Sequence, residues 1–167
     1  MTNPIDKVFD SRDFKEYVEE IKDAVLNKYN ELIDEINNEH VGEDDWADLD
    51  SVQDYDELDT VQLNWIHEID PAFLPPLGYT DVEDLESLIC FYDELSQYGD
   101  FKYGETIIRE DYWVEYCEEL CKEVDGIPKD LPWYIANHID WEGVAKEIAM
   151  DYTYVSYNGE DYYIRNS

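Results

Sequence analysis

The sequence predicts an α+β fold that is mostly helical. Three observations carry that expectation: apolar residues at steps of three and four from Phe14 to Ile36, a capped helical stretch beginning at Thr80, and an Asn158-Gly159 pair between two strand-forming runs. The 167 residues are 44% apolar and 15% aromatic, enough for a core in one domain or two small ones. Fifteen Tyr, five Trp and five Phe argue against a disordered chain despite the high charge.

Ser11 is placed to cap a helix running to about Asn38, with Phe14, Val18, Ile21, Val25, Tyr29, Leu32 and Ile36 as its apolar stripe. Its other faces carry Glu16, Glu19, Glu20, Asp23, Glu31, Asp34 and Glu35, relieved only by Lys15, Lys22 and Lys28. The next stretch holds Glu43, Asp44, Asp45, Asp48, Asp50, Asp54, Asp56, Glu57 and Asp59 without a single base. Trp46, Leu49, Val52 and Tyr55 recur there every third residue, which predicts helical turns tied to the core with carboxylates outward; the alternative is a disordered acidic loop. Thr60 to Ile69 fits both a strand alternation and a helix stripe through Leu58, Val61, Trp65 and Ile69, and we read it as a helix.

Pro71, Pro75, Pro76 and Gly78 mark a loop and the expected boundary inside the chain. Thr80-Asp81-Val82-Glu83 reads as a capping box opening a helix to about Gln97, with Val82, Leu85, Leu88, Ile89, Tyr92 and Leu95 inward. After a turn region from Tyr98 to Glu105, Glu110 to Val124 predicts a helix. Trp113, Cys117, Leu120, Cys121 and Val124 face its core side, and Glu115, Glu118, Glu119 and Glu123 face away. Gly126 suits the left-handed position after that helix, and Pro132 the first turn of a short segment to Asn137. Asp140 can cap a helix from Trp141 to Met150 whose Val144, Ala145, Ile148 and Ala149 are offered to a sheet. The Asn-Gly turn sets Thr153–Tyr157 against Glu160–Ile164, pairing Val155 with Tyr162 and Thr153 with Ile164, with Tyr154 and Tyr163 on the other face. The expected organisation is an acidic, mainly helical region over residues 1–105 and an α+β domain over 106–167.

The formal charge is −33, and its distribution is more informative than its total. Residues 29–101 contain 22 of the 44 acids and no Lys or Arg. Duplex DNA carries one charge per about 1.7 Å of axis, so 33 charges correspond to roughly 56 Å or about 16 base pairs. A compact chain of this length spans about 40 Å, so its charge density matches or exceeds that of DNA. Such a surface repels nucleic acid and attracts proteins whose clefts hold phosphate.

Little in the sequence points to catalysis. Among 44 carboxylates, pairs at glycosidase spacing arise by chance, and no phosphate-binding or nucleophile-elbow motif is present, so no enzyme activity is expected. Cys117 and Cys121 lie at helical spacing and read as core thiols, while His40, His67 and His138 are scattered, so neither a metal nor any other cofactor is expected. No aspartate-rich window has the Gly and Glu spacing of a calcium loop. Met-Thr-Asn-Pro-Ile-Asp lacks the regions of a signal peptide and no stretch approaches a membrane span, which leads to the expectation of a cytoplasmic protein without membrane contact.

Ile127-Pro128, Tyr134-Ile135, the run Ile139-Asp140-Trp141-Glu142-Gly143-Val144-Ala145-Lys146-Glu147-Ile148 and a hairpin ending Tyr162-Tyr163-Ile164-Arg165 resemble the C-terminal domain of the ArdA antirestriction proteins. Those are acidic DNA mimics that occupy the DNA groove of type I restriction-modification enzymes. The resemblance covers the last third of the chain; the first hundred residues depart from the family pattern. It implies a mobile-element or phage protein acting in a host bacterial cell on a DNA-binding defence enzyme, a type I restriction-modification enzyme in the first place; the departure of the first hundred residues leaves a CRISPR effector complex or another DNA-binding defence protein as the alternative. It also implies a homodimer, with Trp133, Tyr134 and Trp141 near a two-fold contact; burial in the core is the other reading of those rings.

The mimic would present acids three or four apart on helices, about 5–6 Å between Cβ atoms. The residues expected to touch the partner are Glu31, Asp34, Glu35, Glu43, Asp44, Asp45, Asp48, Asp50, Asp54, Asp56, Glu57, Asp59, Glu115, Glu118, Glu119 and Glu123. Two other classes of function fit the composition: adaptation to high salt, which would spread acids evenly, and an acidic chaperone for basic proteins.

Overall fold

The computed structural model describes every residue except Met1, Asp44, Trp46, Asp125 and Ser167. Its elements are β1 (Val8–Asp10), α1 (Ser11–Glu39), α2 (Thr60–Ile69), α3 (Val82–Leu95), β2 (Thr106–Arg109), α4 (Trp113–Glu123), α5 (Trp133–Ala136), α6 (Trp141–Ile148), β3 (Tyr152–Tyr157) and β4 (Glu160–Arg165). The fold class is therefore the expected one, mostly helical α+β with one antiparallel sheet in the order β1-β2-β4-β3. Among the described residues, no helix is long and apolar enough to cross a membrane.

The compact units are not the stretches 1–105 and 106–167. One comprises Met1–Thr2 with Glu16–Ile89, the other Asn3–Lys15 with Cys90–Ser167, so the divisions fall inside α1 and α3 rather than in the proline loop. The reason is β1: Val8 pairs with Ile108 and Phe9 with Ile107, which gathers the N-terminal residues into the sheet. Leu74 and Tyr79 on either side of Pro75, Pro76 and Gly78 are buried, and the Tyr79 hydroxyl lies 2.7 Å from that of Tyr17, so this loop belongs to the core of the first unit.

In the sheet unit, the hairpin follows the predicted register, Val155 against Tyr162 and Thr153 against Ile164. Asn158 and Gly159 have φ of 52° and 80°, the left-handed pair that a type I′ turn requires. One sheet face presents Phe9, Ile107, Val155, Tyr162 and Ile164, all buried, to Phe14 and Phe91. Phe91 stacks on Tyr157 with centroids 4.7 Å apart. The other face carries Ile108 and Tyr163 beneath α4 and α6: Trp113 stacks on Tyr163 at 4.5 Å, and its indole N–H donates to the Ala145 carbonyl at 3.1 Å. Asp140 caps α6 by accepting from the Gly143 amide at 3.0 Å.

Several local expectations are corrected. Ser11 does not cap α1; its buried hydroxyl donates to the Phe101 carbonyl at 2.6 Å and accepts from the Glu105 amide at 2.7 Å, and Asp10 serves as the cap by accepting from the Arg12 amide. Asp81, not Thr80, accepts the amide three residues on, while Asp84 reaches back to Thr80. α2 is a helix, but it buries Leu63 and Ile66 and leaves Val61 and Ile69 exposed. Val124 is exposed because α4 ends before it and the chain turns away. Cys117 and Cys121 are buried as expected, and desolvation pushes the Cys117 thiol up to about 11. That thiol is held protonated, and no group of three or more metal-ligating side chains occurs among the described residues.

Candidate functional site

The acidic site begins with what ends α1. Gly42, at φ 90°, turns the chain beyond the C-terminus of the helix, and the residues that follow do not form the expected helical turns. The described residues 47–52 carry no helical turn and form a strap that leads to a single 3-10 turn at Tyr55–Glu57. Like charges packed on helical turns with no base between them repel one another, and an extended backbone moves successive carboxylates apart. The predicted anchors fare unequally: Tyr55 is buried, Val52 half-buried and Leu49 exposed, while Trp46 and Asp44 lie outside the described residues.

What holds the strap is a pair of asparagines. The side-chain amide of Asn37 donates to the Leu49 carbonyl at 2.9 Å and accepts from the Leu49 amide at 2.8 Å; Asn30 does the same with Val52 at 2.8 and 2.9 Å. Each carboxamide thus takes the place that a neighbouring strand would take. Farther along, the Lys22 ammonium binds the Asp56 carboxylate at 2.9 Å and lies 5.3 Å from the centre of the Tyr55 ring. Positions 37, 30 and 22 of the helix thereby meet 49, 52 and 56 of the strap in antiparallel order. The arithmetic explains the spacing: seven helical residues rise about 10.5 Å and three extended residues span about 10 Å. Asn is a weak helix former, so its presence twice on this face is the signal that sequence reading overlooked.

With the strap fixed, its acids face water. Glu43, Asp45, Asp48, Asp50, Asp54, Asp56, Glu57 and Asp59 are all exposed, as are Glu31, Asp34 and Glu35 on α1. Some have structural duties: Asp54 caps the 3-10 turn, Asp59 forms a reciprocal capping box with Gln62 on α2, and Glu43 lies 3.0 Å from the His40 ring. Asp34, Glu35, Asp45, Asp48, Asp50 and Glu57 form no ion pair among the described residues. Both lysines of the Glu16–Ile89 unit are engaged, Lys22 with Asp56 and Lys28 with Asp70 at 3.1 Å and Glu31 at 3.3 Å. The Asp70 hydrogen bond is the main cause that raises the Lys28 pKa, keeping it charged.

The chain matches no family model, no curated protein and no solved structure. The site has to be weighed on its own chemistry. Glu16–Ile89 holds 23 acids and two lysines. The net charge of −21 equals that of about 36 Å of duplex, or about ten base pairs, in a unit whose chain length implies a diameter of about 29 Å.

The four predicted acids on α4 belong to the other unit and have a different character. Glu118 is paired with Lys122, Glu119 accepts from the Tyr112 hydroxyl at 3.1 Å, and Glu123 lies 3.7 Å from Lys129; Glu115 is exposed. Trp133 and Tyr134 are exposed and Trp141 is half-buried, so the first two rings are not core residues.

Proposed function

We propose that the protein is a DNA-mimic inhibitor that occupies the DNA-binding cleft of a defence nuclease in a host bacterial cell, and that it comes from a phage or other mobile element. The observation that supports this most directly is the strap: a base-free run of exposed carboxylates held in place by Asn30 and Asn37. An acidic tail that served only solubility would need no such fastening. A fixed array loses less conformational entropy on binding than a loose one, and fixed anions suit a cleft shaped for phosphates.

The resemblance of Gly126–Arg165 to ArdA antirestriction proteins makes type I restriction-modification enzymes the first target. A CRISPR effector complex is the second reading, favoured by the location of the strap in the part of the chain that carries no such resemblance. The protein neither binds nucleic acid itself nor acts as an enzyme in either case, and no cofactor is called for.

The test is competition with a DNA duplex for a purified restriction or CRISPR complex across a salt series. Displacement of the duplex that weakens steeply as salt rises is the expected result. Failure to displace DNA from either complex at low salt sinks the proposal.

A further inference from the structure

The Glu16–Ile89 unit also contains a groove of about 320 Å³ that the charge argument leaves unused. Ile33 and Ile36 of α1, Leu49 of the strap, and Val61 and Trp65 of α2 line it, with Tyr29 at its base in edge-to-face contact with Trp65 at 5.7 Å. Gln62, also in its lining, accepts from the Asp59 amide at 2.9 Å and donates to the Tyr29 hydroxyl at 3.0 Å. The groove therefore offers a mainly apolar surface on which the Gln62 carboxamide is already engaged. Val61 is 76% exposed and Leu49 41%, a high exposure for apolar residues sharing one groove.

Acids adjoin each of these walls in sequence. Asp34 and Glu35 lie between Ile33 and Ile36, Asp48 and Asp50 flank Leu49, and Asp59 caps the helix that carries Val61. All five are exposed, and both lysines of the unit are engaged elsewhere. A free fatty acid or a nucleotide would bring like charge into this surround. A basic polypeptide segment brings the opposite charge together with a side chain for the groove.

We propose that this groove takes a single large apolar side chain from a basic segment of the target protein. The inference rests on the reading of the surface as a decoy for a basic cleft. It adds that recognition has a contact which duplex DNA itself could not make, so the inhibitor is selective for one protein rather than a general polyanion. The groove would work as the anchor and the carboxylates as the surround, the arrangement in which buried apolar contacts dominate affinity and peripheral charges steer approach.

The test uses two labelled lysine-rich peptides of identical charge, one with a central Phe and one with Ala in its place, titrated into the full-length protein across a salt series. Burying the ring should make the Phe peptide bind about tenfold more tightly, a ratio that persists as both affinities fall with salt. Val61→Gln should bring the ratio to about one while leaving the Ala peptide unaffected; Leu49→Gln gives a second, independent variant, and thermal midpoints near the parent value establish that both are folded. Equal binding of the two peptides, or a ratio unchanged in the folded variants, overturns the anchor. If the peptides bind equally while the protein still displaces duplex DNA, only the anchor falls. If neither peptide binds at low salt and no duplex is displaced, the decoy reading falls with it.

Discussion

The unit Glu16–Ile89 and the unit formed by Asn3–Lys15 with Cys90–Ser167 contain nearly equal numbers of acids, 23 and 21, but two bases against nine. In the sheet unit four of the 21 acids pair with a base among the described residues. Arg12 pairs with Asp10, Arg109 with Asp111, Lys122 with Glu118 and Lys129 with Glu123. In the first unit the two lysines fasten structure, and Asp34, Glu35, Asp45, Asp48, Asp50 and Glu57 have no such partner among the described residues. The lesson is that the chain's charge is set by where bases have been left out. One unit follows the ordinary rules of a packed α+β domain, and the other keeps uncompensated charge that works against its own stability.

The largest effect should come from the sheet unit. Phe91 is 2% exposed and touches Phe14, Tyr157 and Tyr162, so Phe91→Ala should cost about 3–5 kcal/mol. Chemical denaturation measures it, and a loss under about 1 kcal/mol would mean this core is not the conventional one described. Next is the strap. Asn30→Ala removes two hydrogen bonds from a half-buried backbone and should cost about 2 kcal/mol, with hydrogen exchange at Val52 accelerating well beyond the global change. Asn37→Ala, at a more exposed site, should cost less and act on Leu49. If neither amide exchanges faster, the asparagines do not hold the acidic segment and the contrast between the units loses its physical basis.

A smaller change separates structural acids from displayed ones. Asp59→Ala should cost about 1 kcal/mol through loss of the α2 capping box, whereas Asp48→Asn and Asp50→Asn should leave stability unchanged or raise it slightly by relieving repulsion. Thermal midpoints of the three variants decide this, and equal losses would contradict it.

The smallest effect concerns pH. Hydrogen bonds from the Arg109 guanidinium hold the Asp111 carboxyl below the usual range, and those from Arg12 do the same for Asp10. A carboxyl whose pKa is depressed in the folded state contributes stability that is present above its unfolded pKa and lost as pH falls through the folded one. Asp111→Asn should therefore lower stability slightly at neutral pH and flatten the decline below about pH 4. An unchanged acid limb in stability measured against pH would show that the pair contributes nothing.

What could be read from the sequence was whatever local rules determine. The Asn158-Gly159 turn fixed the hairpin register, and six of the seven residues of the predicted α1 stripe are buried, with Ile36 half-buried. β1 and β2 escaped notice because Val8–Asp10 and Thr106–Arg109 are too short for a period-two pattern to emerge, and they become strands through pairing across nearly a hundred residues. The described acids of 43–59 were legible as exposed, but their backbone was not. Its conformation is set by side-chain amides twelve and twenty-two residues away, contacts that leave no periodic trace. The face of α2 was misjudged for a related reason. Val61 and Ile69 fit a helical stripe as well as Leu63 and Ile66 do, and only tertiary packing decides which pair is covered.

The two asparagines also set a limit on how this chain can change over generations. Asp differs from Asn by one group, and on most of the surface of the Glu16–Ile89 unit the exchange would merely add to a charge already in excess. At positions 30 and 37 it would remove the N–H that meets a carbonyl and set an anion against that oxygen instead. Divergent descendants should thus trade acidic positions freely while retaining two carboxamides two helical turns apart, a sparser signature than acidity and a more specific one by which to find distant kin.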